Sequence, residues 1–244
     1  MNRATWRIKL GFGLAAATAF VLLANLIVFG TPKETTFWVM HSLAMMPIEI
    51  LVVTLILNQL LEGRARQEML HKLNMVIGAF FSEVGSDLLR RITAFDADVE
   101  VRENFFVKDD WDDNSFAKAK AVAAAYDYTV DAARGDLAGL RDFLVSKRDF
   151  LLRLLENPNL LEHASFTDAL WAVFHVAEEL ENRSNLGSLS TTDLAHLSYD
   201  LKRAYAALAI EWLDYIRHLK LTYPYLYSLA VRLNPLDPNA RAEM

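Results

Sequence analysis

Residues 10–30 read LGFGLAAATAFVLLANLIVFG and residues 37–61 read FWVMHSLAMMPIEILVVTLILNQLL, with Thr31-Pro32-Lys33-Glu34-Thr35-Thr36 between them. The first run carries no charge over 21 residues. At ~1.5 Å of rise per residue it reaches roughly 32 Å, about the hydrocarbon thickness of a bilayer. The second has 25 residues and is apolar except for His41, Ser42, Glu49, Thr54, Asn58 and Gln59. Both runs are long enough to span, and the short linker forces an antiparallel transmembrane hairpin. Arg3, Arg7 and Lys9 ahead of the first run imitate a secretory signal, but the apolar core is longer than a signal core and a second run follows at once. These basic residues, with Arg64, Arg66 and Lys72 after the second run, put both termini on the cytoplasmic side.

Outside the hairpin the composition is ordinary. The whole chain has 244 residues, 25 basic and 31 acidic groups, and 53% hydrophobic residues. Residues 1–61 hold four basic and two acidic groups, so residues 62–244 hold 21 against 29, a net charge of −8. An acidic domain with scattered cations excludes nucleic acid as a partner. The chain has no cysteine, which excludes disulfides, thiolate metal sites and cysteine nucleophiles.

Residues 62–244 keep a helical period and predict an all-α cytoplasmic bundle. Leu70, Leu73, Ile77, Phe80, Val84, Leu88 and Ile92 extend the second span as one helix to about Phe95, with Gly63 the expected break. Gly78, Ser82 and Gly85 form a small-residue, close-packing seam on it, fit for another backbone to approach. A helix over about Ser115–Ala133 follows Asp112, Asp113 and Asn114, which suit an N-cap. Asp136 opens the next, carrying Leu137, Leu140, Leu144, Leu151 and Leu154 to Asn157-Pro158. Ser165-Phe166-Thr167-Asp168 resembles a capping box for a helix burying Leu170, Val173, Ala177 and Leu180. The clearest period is Leu194, Leu197, Leu201, Tyr205, Leu208, Trp212, Tyr215 and Leu219, behind Ser190 as cap. Tyr223-Pro224 starts a short last helix, expected to pack on the bundle rather than on lipid, and Leu236–Met244 reads as a frayed tail. Asp96–Asp113 takes no assignment.

The polar residues inside the apolar runs are the first functional candidates. If the two ends of the hairpin turn are level, Thr18 shares a depth with Glu49, and Asn25 with Ser42 and His41. Thr18 and Asn25 are seven residues apart, as are Ser42 and Glu49, so each of these pairs lies on one face of its own helix. A buried carboxylate in a span needs a partner or a proton. The favoured reading of Glu49, Ser42, His41, Asn25 and Thr18 is an intramembrane polar seam that binds the hairpin or an oligomer together, and conduction is the alternative. Pro47 adds a helix kink and a free carbonyl. Elsewhere, Asp110-Trp111-Asp112 begins like an EF-hand loop but lacks its glycine and its final glutamate. His175 with Glu178 and Glu179, and Glu211 with Asp214 and His218, have spacings that could hold a metal, but exposed ion pairs are the simpler reading, so the expectation is no metal and no cofactor. No phosphate loop or nucleophile elbow occurs, so the expectation is no enzyme and no catalytic residues.

Met46-Pro47-Ile48-Glu49, the stretch Leu73-Asn74-Met75-Val76-Ile77-Gly78-Ala79-Phe80-Phe81-Ser82-Glu83-Val84-Gly85 and the stretch Tyr223-Pro224-Tyr225-Leu226-Tyr227-Ser228-Leu229-Ala230-Val231-Arg232 resemble a group of uncharacterised prokaryotic proteins with two transmembrane helices. The resemblance covers the chain end to end, implies no activity and carries over no functional residue. The expectation is therefore a bacterial or archaeal inner-membrane protein. Residues 1–61 would be its anchor and residues 62–244 an interaction or regulatory module, with the lipid bilayer and either a homo-oligomer or other membrane subunits as partners. A small oligomeric channel or proton-coupled transporter using Glu49 is the rival.

Overall fold

Helix α1 covers Pro32–Phe80. Gly63, the expected break, is helical in it. A lone glycine costs a helix only ~1 kcal/mol, and its neighbours Leu60, Leu61, Glu62, Arg64, Ala65 and Arg66 are strong helix formers, so they outvote it. The computed structural model describes residues 13, 16–24, 27–28, 32–96, 98, 102–158, 160 and 163–243. The expected first span, residues 10–30, lies largely outside these; its described residues are helical and exposed or half-buried. Among the described residues, one helix is long and apolar enough to cross a membrane, and its apolar window is wholly unburied. The chain divides into two units, Met1–Arg66 and Gln67–Met244.

The second unit is all-α. A π-helical turn, Phe81–Gly85, leads into α2 (Ser86–Ile92) and a 3-10 turn, Thr93–Phe95. Then come α3 (Asp113–Ala125), α4 (Leu137–Ser146), α5 (Arg148–Leu155), α6 (Ala164–Glu181), α7 (Thr191–Thr222) and α8 (Pro224–Arg232). The only pairing of extended backbone among the described residues is an antiparallel bridge between Asp96 and Val130.

The second run does continue as helix to Phe95, and several details of the expected elements are corrected. The helix through Phe95 is not uniform, because sequence neighbours go inward together: Phe80 with Phe81, Val84 with Gly85, Leu88 with Leu89. A π turn adds a residue to one turn and broadens the buried face, and Ser86 Oγ donates to the Phe81 carbonyl at 2.8 Å. Helix α3 stops at Ala125, not Ala133, because the following residues are drawn into extended backbone. There the Tyr126 hydroxyl donates to Asp98, Tyr128 packs edge-on against Tyr205, and Asp131 N–H donates to the Phe95 carbonyl. This segment also gives Asp96 and Asp98 their partners, Val130 and Tyr126. The helix expected from Leu137 to Leu155 is split at Lys147, whose φ of −103° and ψ of 2° turn the chain. Arg148 can then meet Glu181 at 2.7 Å and cover the Phe174 ring. The cap of α6 is His163, whose Nδ1 accepts from the Phe166 N–H, rather than Ser165. The carboxyl-terminal tail is not frayed at its start: Leu236 is fully buried, and the buried Asn234 donates to the Phe105 carbonyl and accepts from Leu236 N–H.

Helix α7 is the axis of this unit. It buries Leu197, Leu201, Ala204, Tyr205, Leu208, Ala209, Trp212, Leu213, Ile216 and Leu219, and α2, α3, α6 and α8 pack around it. The Ser190 hydroxyl accepts from Asp193 N–H at 3.1 Å and donates to the Asp193 carboxylate, so the sequence-predicted cap is in place.

Candidate functional site

In the first unit, Thr18, Ser42 and Glu49 line one cavity of about 800 Å³, together with Glu34, Trp38 and Met46. Three of the five polar residues predicted to share a face are therefore brought to one space. His41 is exposed and keeps company with rings instead, stacked on Phe37 at 6.3 Å and edge-on to Trp38 at 6.1 Å. Asn25 lies outside the described residues. Pro47 sits inside α1 and withholds one backbone donor, which leaves the Leu43 carbonyl without its helical partner.

The small-residue seam meets rings rather than a second backbone. A Cβ on Gly85 would stand 2.6 Å from the rings of Phe80 and Phe81, whereas one on Gly78 would be 3.6 Å from Tyr215, an ordinary contact. Ser82 is exposed. Phe81 stacks on Tyr215 at 5.0 Å and Phe80 meets Phe166 edge-on at 5.3 Å, so this turn is an aromatic joint between α1, α6 and α7.

The two histidine–carboxylate groupings read from single helices fare differently. Glu211, Asp214 and His218 separate: Asp214 pairs with Lys120, and His218 Nδ1 lies 3.2 Å from Asn74 Nδ2. Burial pushes the His218 imidazole below its ordinary value, with the nearby His71 adding to it. Glu211 is buried among α6 and α7, and burial pushes its carboxyl up, while Ser165 and His163 oppose the shift. His163 Nδ1, which caps α6, also lies 3.3 Å from Ser165 Oγ.

In the other grouping Glu178 faces solvent, while His175 and Glu179 turn toward α7 and meet His196 and Asp200, which sequence reasoning missed. The missed signal was a repeat: His175-x-x-x-Glu179 on one helix and His196-x-x-x-Asp200 on the next, each placing a nitrogen and a carboxylate one turn apart on one face. Arg183 beside Glu179 holds its carboxyl below the usual range.

A further buried polar cluster joins the extended segments to α7. Asp96 Oδ2 lies 3.7 Å from Arg102 Nε with both side chains nearly inaccessible, and burial raises the Asp96 carboxyl. Arg102 also donates to the Thr93 carbonyl at 3.2 Å, which makes the pair a strap across the Thr93–Phe105 connection.

Fold and sites together define a two-unit, all-α helical protein with polar groups set into apolar helix faces. The chain belongs to the family of "Uncharacterized protein MJ1433" from Methanocaldococcus jannaschii, to which it is 40% identical over 237 residues, 97% of this chain and 96% of that protein. The family model described as "MJ1433, N-terminal helical domain" matches residues 2–61, and that described as "Uncharacterized protein MJ1433, C-terminal helical domain" matches residues 69–232. No solved structure matches the chain.

Proposed function

We propose that the chain is an integral membrane protein in which residues 10–30 and 37–61 form a transmembrane hairpin. The hairpin anchors residues 62–244 as a cytoplasmic helical module for interaction or regulation, within an oligomeric assembly in the cytoplasmic membrane. One observation carries this reading: every residue from Met40 to Leu61 is exposed, including Leu43, Ile50, Leu55, Leu57 and Leu61 at more than half of their surface. Full burial of one such side chain is worth ~1.5–3 kcal/mol, so a helix with this many of them uncovered calls for a lipid or protein environment around it. The basic residues before and after the runs supply the orientation. The test is alkaline extraction of cell membranes followed by reporter fusions at Lys33 and Met244. Retention in the membrane pellet with reporters on opposite sides, Met244 cytoplasmic, is expected. Release into the soluble fraction would overturn the anchor, and a Met244 reporter outside the cytoplasm would overturn the orientation.

The cavity lined by Thr18, Ser42 and Glu49 favours a second reading, ion or proton movement through the hairpin of an oligomer. Purified protein in liposomes should then pass protons or cations down a gradient, and Glu49→Gln should abolish the flux. Absence of flux under pH and voltage gradients leaves the anchor reading standing alone.

A further inference from the structure

Helices α6 and α7 each offer one histidine and one carboxylate to the same point. His175 Nε2 lies 3.6 Å from Asp200 Oδ1 and 3.9 Å from Glu179 Oε1; His196 Nε2 lies 3.3 Å from Asp200 Oδ2 and 3.6 Å from Glu179 Oε2. Donor atoms of His175, His196 and Asp200 all fall within 4.8 Å of one another. Bonds of ~2.0–2.2 Å to a tetrahedral ion put neighbouring ligand atoms roughly 3.3–3.6 Å apart, and the two histidine-to-Asp200 distances, 3.6 and 3.3 Å, have that spacing. Asp200 supplies an independent sign. Its side chain is 5% exposed, and its Oδ2 has no hydrogen-bond partner, the approach of His196 included. A carboxylate oxygen taken out of water without a donor is costly, and a cation between the two imidazoles satisfies it.

The geometry points to a divalent transition-metal site of the zinc class, held by His175 Nε2, His196 Nε2 and the Asp200 carboxylate. Glu179 stays at the rim, engaged by Arg183, so the remaining position is open to water. Imidazole nitrogens with a single buried carboxylate favour Zn2+ over Mg2+ or Ca2+, which take oxygen donors. Because His175 and His196 are about half exposed, the ion enters from solvent without unfolding the bundle. Bound, it would tie α6 to α7 one turn from the start of α7's buried face. The site stands whether or not residues 10–61 cross a membrane.

The test uses the full chain in detergent, stripped with a chelator and titrated with Zn2+ alone by calorimetry, with Co2+ followed by its visible d–d absorption. One Zn2+ per chain and a melting temperature that rises with Zn2+ are expected. His175→Gln and His196→Gln, both at half-exposed positions that leave the core untouched, should weaken Zn2+ binding by more than ~100-fold, beyond what loss of an outer-shell partner costs. Glu178→Gln, on the same helix but facing away, should leave it unchanged. Asp200→Asn should also lose the ion; because Asp200 is buried, the two histidine variants, checked for native helicity, decide the matter if it does not fold. No Zn2+ bound by the stripped protein, or affinity unchanged in both histidine variants, overturns the site.

Discussion

At the scale of single residues, two glycines on one seam make opposite demands. Gly85 is buried, and the rings a Cβ would strike belong to Phe80 and Phe81, themselves without exposed surface and locked by Phe166, Trp212 and Tyr215. Gly85→Ala is therefore expected to lower unfolding free energy by ~1–3 kcal/mol despite the better helix propensity of alanine. Gly78→Ala meets only an ordinary contact and should be neutral or stabilising by up to ~1 kcal/mol. Denaturant titration of the two variants side by side reads the difference directly. Glu211 offers a pH signature. Its folded carboxyl is raised by burial, so between the ordinary glutamate range and that raised value the folded state binds more protons than the unfolded one. Stability from this group is accordingly lost as pH rises through that window. Glu211→Gln should melt higher than the parent protein at pH 8, with the gap closing as the pH falls toward 4. A gap that widens on acidification would reverse the assignment. The sequence showed Glu211 only as one member of a helix-face triplet, since the groups that oppose its burial, Ser165 and His163, lie more than forty positions away.

At the scale of elements, what the sequence disclosed was what a few neighbouring residues can decide. The caps Asp112, Asp136 and Ser190 are in place, each accepting from the N–H three residues on. The run from Leu194 to Leu219 is one helix with its apolar stripe inward. Hidden from it were the features set by partners far along the chain, the π turn that seats two adjacent phenylalanines, the early end of α3 and the break at Lys147, and also one local feature, the use of His163 as a cap. The metal-type cluster belongs with these, because half of it was visible on α6 and the other half acquired meaning only when α7 lay alongside. Helix α8 illustrates both sides. Its pattern predicted a packed helix, and Tyr227 is buried with its hydroxyl donating to the Lys108 carbonyl, while Tyr225 stays exposed. The turn that follows the helix is tied to the Phe105 carbonyl by Asn234, which no periodicity marks. Asn234→Ala removes the bond to the Phe105 carbonyl and the local turn at Leu236, and should cost ~1–3 kcal/mol, read as a lower melting temperature.

At the scale of the whole molecule, composition alone separated an apolar first quarter from a charged remainder, and the division into Met1–Arg66 and Gln67–Met244 follows the same change. Helical period alone sufficed to name the second unit all-α. Which of its residues would meet was not legible, since α7 gathers side chains from four other helices and from the 96–136 connection. The buried seat of Leu236 has a consequence for how the molecule withstands enzymes that digest from the carboxyl end. Pro238, Asn239, Arg241, Ala242 and Glu243 are exposed, but the next residues inward are part of the core, and a carboxypeptidase needs several consecutive residues in extended form. Digestion of the folded protein is expected to trim it to near Asp237 and then to proceed only as fast as the bundle opens as a whole, so that mass spectrometry finds one persistent product. In Asn234→Ala the same digestion should run past Leu236, which turns the durability of the last few residues into a gauge of the entire core.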